Sequence, residues 1–96
     1  MHAAIYEVEI VDRERATTNL TANLVPRTAE APGLVAGYWI GVGEDRGLSV
    51  IVFDSEDAAR AYMDEGDPPP PDLVRFHRSE IGEVVAHTEA RDAARQ

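Results

Sequence analysis

An α+β sandwich with the element order β-α-β-β-α-β is the fold class this sequence predicts, on three observations. First, Ala3–Val11 alternates in period two, and Leu34–Phe53 holds two apolar runs joined by a short glycine-flanked polar loop. Second, a helical stripe follows each of the first and third of these extended stretches, and each begins at a capping residue. Third, 96 residues suffice for one domain and not two. The expected boundaries are residues 1–88 for the domain and 89–96 for a polar tail.

The first strand splits by parity. Ala4, Tyr6, Val8 and Ile10 lie on one face; Ala3, Ile5, Glu7, Glu9 and Val11 lie on the other. Asp12 then caps a helix whose apolar stripe is Ala16, Leu20 and Leu24, with Val25 beside it. Pro26 lacks an amide donor and crowds the preceding turn, so it kinks or ends that helix. A second helical piece is expected from Pro26 to about Ala31, ended by Pro32-Gly33.

The hairpin comes next. Gly43-Glu44-Asp45-Arg46-Gly47 suits a tight connection with a residue at positive φ. If Val42 pairs with Leu48, one face carries Leu34, Ala36, Tyr38, Ile40, Val42, Leu48, Val50 and Val52. The other carries Val35, Gly37, Trp39, Gly41, Ser49, Ile51 and Phe53. The smooth first set is expected beneath the helices, with Tyr38 a core residue. The second set mixes large aromatics with glycines, so it is expected on the open face, where a second copy of the chain covers it.

Asp54 or Ser55 caps the next helix, which runs to about Glu65 and buries Ala58, Ala59, Tyr62 and Met63; Gly66 ends it. Asp67 and Pro68–Pro71 read as a stiff extended connector. The last extended stretch runs from Leu73 to His87, with a bulge or break at Gly82 and Val84, Val85 and Ala86 continuing the strand. The order β-α-β-β-α-β is the ferredoxin-like, split βαβ arrangement, a four-stranded antiparallel sheet with both helices on one face.

Two segments carry a family resemblance. Pro32-Gly33-Leu34-Val35-Ala36-Gly37-Tyr38-Trp39, followed by a glycine-flanked turn and Val50-Ile51-Val52-Phe53-Asp54-Ser55-Glu56-Asp57-Ala58-Ala59, resembles the dimeric α+β-barrel superfamily. Within it the chain looks most like the antibiotic-biosynthesis-monooxygenase-like proteins, over about residues 3 to 88. The resemblance implies a homodimeric α+β barrel and a cofactor-independent monooxygenase-like enzyme acting on a polycyclic aromatic or quinol-type substrate. The alternative is a non-catalytic dimeric module that binds a small molecule or serves as an interaction domain. Members of the monooxygenase group commonly carry Trp where this chain has Phe53. The haem-degrading members use an Asn on the first strand and a His on the second helix; this chain has Glu7 and Glu9 on the one and no His on the other.

Composition narrows the partners. With 18 acidic and 9 basic residues the net charge is −9, which disfavours nucleic acid and anionic lipid surfaces. There is no Cys, hence no thiolate nucleophile and no Cys metal site, and the histidines lack the spacing of a metal site, so neither metal nor cofactor is expected. No signal peptide or spanning segment is read, and a cytoplasmic location is the expectation.

The candidate site follows from parity. Trp39, Ile51 and Phe53 would line an aromatic pocket on the open face, with Asn23, one helical turn from Asn19, at its mouth. Glu7 and Glu9 fall on the same nominal face, opposite Arg75 and His77 of the antiparallel fourth strand. A cross-strand Glu-Arg or Glu-His pair is therefore expected. In the enzyme reading His77 or Glu7 is the base and Arg75 stabilises developing negative charge. In the structural reading these are an ion pair at the barrel rim and Trp39 is a dimer-core residue.

Overall fold

The structure, a computed structural model, describes residues 1–66 and 70–90. Its strands are β1 (His2–Ile10), β2 (Leu34–Val42), β3 (Arg46–Phe53) and β4 (Val74–Glu83). They form one antiparallel sheet in the order β2-β3-β1-β4. Two helical arms join them on one face. The first runs as α1 (Arg13–Asn19), a π-helical turn (Leu20–Leu24) and α2 (Val25–Ala29); the second is α3 (Glu56–Glu65). This is the ferredoxin-like βαββαβ sandwich.

The caps fall where the sequence puts them. The Asp12 side chain accepts from the Arg15 amide, and the Ser55 side chain accepts from the Ala58 amide. Each satisfies an amide that has no partner within its helix. Gly66 ends α3. Pro26 does not end the first arm. The turn before it widens, and the Val25 amide bonds to the Leu20 carbonyl five residues back. This π turn carries the helix past a residue that cannot donate and would crowd a regular turn. Gly33, at φ 80°, then reverses the chain, and a side chain there would meet Asp54 and Ala58.

The hairpin keeps the expected parity but pairs Val42 with Arg46 and Ile40 with Leu48, two residues tighter than expected. Gly43 takes the positive φ of the turn. The two faces, however, are exchanged. Gly37, Trp39, Gly41, Ser49, Ile51 and Phe53 lie beneath the helical arms, and the smooth set lies on the open face. Phe53 is fully buried with its ring 5.2 Å from that of Tyr62, and Ile51, Ala4 and Ala59 complete the core. Tyr38, expected in the core, is 60% exposed, and Ile40 is 47% exposed. The cause is the register with β1: Ala4 pairs with Ile51 and Tyr6 with Ser49. The face of β1 that lacks glutamates is thereby fixed to the odd-numbered residues of β3. Leu34 joins the helix side because a bulge at Val35 shifts β2 by one residue.

Strand β4 corrects two further expectations. Its bulge lies at His77, between the pairs Val8–Phe76 and Glu7–Arg78, and not at Gly82, which pairs regularly with Ala3. The strand ends at Glu83. Val84 still donates its amide to the Met1 carbonyl at 2.9 Å, but Val84–Ala86 lie beyond the strand and Val85 is exposed. Of the expected proline connector, residues 67–69 lie outside the described residues; Pro70 opens a turn whose carbonyl accepts from the Leu73 and Val74 amides. Residues 91–96 of the expected tail also lie outside them.

Candidate functional site: a cavity between the sheet and the first helical arm

The two arms sit differently on the sheet. Helix α3 packs on β1, β3 and β4, whereas the first arm meets the sheet chiefly where α2 reaches β2. The first arm is pinned at both ends. At its start Arg13 Nη1 donates to the Gly43 carbonyl at 2.6 Å, and Arg15 bonds Asp72 at 3.0 Å. At its far end the buried Thr28 hydroxyl meets the Tyr62 hydroxyl at 2.8 Å. Between these anchors the π turn bridges open space. The result is a cavity of about 1040 Å³.

Its floor is set by the cross-strand rows of the sheet. One row is Trp39, Ser49, Tyr6 and Ser79; the next is Gly41, Gly47, Val8 and Phe76. Serine and glycine beside large rings leave the aromatic groups standing over a low floor. Tyr6 stacks on Phe76 with centroids 5.7 Å apart and planes 21° apart. A side chain at Gly37 would press on the Trp39 ring, so glycine there lets the indole lie down on the sheet. The roof is Leu20, Asn23 and Leu24 of the π turn, with Asn23 Nδ2 donating to Asn19 Oδ1 at 2.8 Å.

Burial, with smaller contributions from Tyr62 and Asp64, pushes the Tyr6 phenol from its usual 10 up to about 12. Tyr6 is therefore a hydrogen-bond donor at neutral pH and not a base. The folded chain holds this proton where the unfolded chain releases it, so stability falls as pH rises from about 10 to about 12. Tyr6→Phe should remove a late tyrosinate transition from the ultraviolet titration of the protein.

The residues expected to form the site divide between two faces. Trp39, Ile51 and Asn23 line the cavity. Phe53 lies beneath it, fully buried against α3. Glu7 and Arg75 stand on the opposite face of the sheet. There Glu9 pairs with Arg75 at 3.6 Å, which is the expected Glu-Arg contact, and Glu7 faces Arg78. His77 is the extra residue of the edge-strand bulge and is exposed. The structure therefore does not bring His77, Glu7 and Arg75 together with Trp39, because β1 parity puts Tyr6 and not Glu7 on the Trp39 side. Tyr6, Arg13, Leu20 and Ser49 are lining residues that the sequence reading did not single out. The signal that identifies Tyr6 and Ser49 is their shared row with Trp39.

No protein-family model matches the chain, and no curated protein matches it. Solved structures do. A dimeric ferredoxin-like protein from an uncultured marine organism superposes with a TM-score of 0.59 at 14% identity, over 94% of this chain and 100% of that one. A point mutant of MhuD, with two manganese protoporphyrin IX bound per active site, gives 0.61 at 15%, over 94% and 100%. SnoaB, a cofactor-independent oxygenase from Streptomyces nogalater, gives 0.60 at 15%, over 92% and 94%. At these identities the likeness is one of fold. The chain therefore has the ferredoxin-like fold that these structures share.

Proposed function

We propose that this protein binds a planar polycyclic phenol or quinol in the cavity between the sheet and the first helical arm, and acts on it as a cofactor-independent monooxygenase-like enzyme. The carrying observation is the cavity itself. Its volume of about 1040 Å³ is at the upper end of small-molecule sites, and its floor presents Trp39, Tyr6 and Phe76 beside glycine and serine. Rings of a flat ligand stack on the indole, and the Tyr6 hydroxyl donates to a ligand oxygen. Among the described residues, the lining supplies an indole, phenols, amides, guanidinium groups and the carboxylates of Glu30, Asp54 and Glu65, but no imidazole or thiolate. That donor set favours an organic polycycle over a metalloporphyrin.

The reaction suited to such a site uses a substrate acidic enough to react as its own carbanion. With anthrone the ring CH2 becomes a carbonyl. One atom of O2 enters the product, and the other leaves as water with the two hydrogens. The protein's part is to exclude water, orient the rings and hold the enolate oxygen at donors such as the Tyr6 hydroxyl.

The homodimer belongs to the same proposal. The open face carries Tyr38, Ile40, Leu48, Val50 and Val52 over β2 and β3, and charged Glu7, Glu9, Arg75 and Arg78 over β1 and β4. An apolar half edged by charge suits a twofold, self-complementary contact. The barrel then closes on the smooth face, with one cavity in each protomer outside the interface.

Trp39 is the chain's single tryptophan, so its emission reports on the cavity directly. Anthrone should quench it saturably, with oxygen uptake above the uncatalysed rate, and Tyr6→Phe should lower the uptake by about tenfold, the scale of one lost donor to a developing charge. Saturable quenching with no uptake across a panel of anthrones and quinols supports the non-catalytic binding module instead. No quenching removes both readings.

A further inference from the structure

We infer that the cavity selects ligands carrying an anionic oxygen, and that Arg13 is the residue that selects them. The inference rests on the reading of the cavity as an aromatic site. Four observations carry it. Arg13 lines the cavity at its hairpin end, where one nitrogen, Nη1, is held by the Gly43 carbonyl at 2.6 Å. Its guanidinium lies over Gly41, where a Cβ would collide with Nη2; the missing side chain is what admits the group to the sheet surface. Arg13 has no carboxylate partner among the described residues, although the chain holds 18 acidic residues against 9 basic ones. Arg15, Arg60 and Arg75 each pair with a carboxylate, and all three pairs lie outside the cavity lining. Finally, Gly41 lies two residues along β2 from Trp39 on the same face, about 7 Å away.

A ligand whose rings lie on Trp39 thus places a substituent of its far edge at Arg13. Guanidinium presents several N–H donors in one plane, and one bond to Gly43 fixes the fork while leaving donors for a ligand. Its natural partner is a carboxylate, phenolate or enolate oxygen. A neutral hydroxyl or carbonyl at that point gains less. The chain's overall negative charge repels such anions at long range, so the preference is a local, short-range one set at this residue.

The test uses Trp39 quenching with two probes of the same ring system, 2-anthracenecarboxylate and 2-anthracenemethanol. Wild type should bind the carboxylate about tenfold more tightly. Arg13→Gln should abolish that ratio, with the greater loss of affinity falling on the carboxylate, and Arg13→Lys should restore part of it. Gly41→Ala is an independent variant: it keeps Arg13 but displaces its flexible end, and it should also abolish the ratio. Circular dichroism matching wild type shows that each variant is folded. If both probes quench Trp39 and Arg13→Gln leaves the ratio unchanged, the Arg13 assignment is wrong and the aromatic site stands. If neither probe quenches Trp39, the aromatic site fails and the assignment fails with it.

Discussion

Phe53→Ala is expected to lower the unfolding free energy by about 3–5 kcal/mol, the cost of emptying a buried aromatic site. Phe53 has no exposed surface, and its ring lies against Tyr62, which in turn is tied to Thr28. One truncation therefore leaves a void under α3 and loosens the far anchor of the first arm. Set against a total of about 5–15 kcal/mol for a small domain, the loss is large. Urea denaturation followed by circular dichroism measures it. A shift below about 1 kcal/mol would mean that the α3 side of the sheet is not the main core.

Ile40→Glu is expected to convert a dimer into a monomer without unfolding it. Ile40 is 47% exposed on the open face, in the row it shares with Leu48, so glutamate there costs the isolated fold little. At a twofold contact it buries two carboxylates without partners and weakens association by about 100-fold or more. Light scattering at micromolar concentration should find wild type dimeric and Ile40→Glu monomeric. A wild-type monomer, or a dimer unaffected by the change, would mean that the smooth face is not the contact surface.

The element order, the two caps and the hairpin parity are readable in the sequence because each depends on local chemistry. Asp12 and Ser55 cap through their own side chains, and period-two alternation survives any register. Which face of the hairpin meets the helices is not readable. Both faces are apolar, so hydrophobicity alone does not choose. The choice is made by long-range pairing, Ala4 with Ile51 and Tyr6 with Ser49, which no local pattern encodes. The uneven relief around Trp39 does mark open space, but the space lies under the first helical arm and not at the open face. Likewise Glu7, Arg75 and His77 look like a site because charge on a strand draws attention. Glu7 and Arg75 instead belong to the charged part of the face opposite Trp39, and His77 to the bulge of the edge strand. The helical piece after Pro26 is readable in the sequence, but the π turn that joins it to α1 is not, since such a turn depends on what lies beneath it as well as on the proline.

Whether the cavity under the first helical arm is the ligand site is decided by titrating Trp39 emission with anthrone. Saturable quenching with one ligand per protomer is expected, in wild type and equally in a monomer made by Tyr38→Glu, a change on the open face outside the cavity lining, because the cavity lies within a single chain. Quenching that disappears in the monomer would place the ligand at the interface between copies and overturn the assignment of the site.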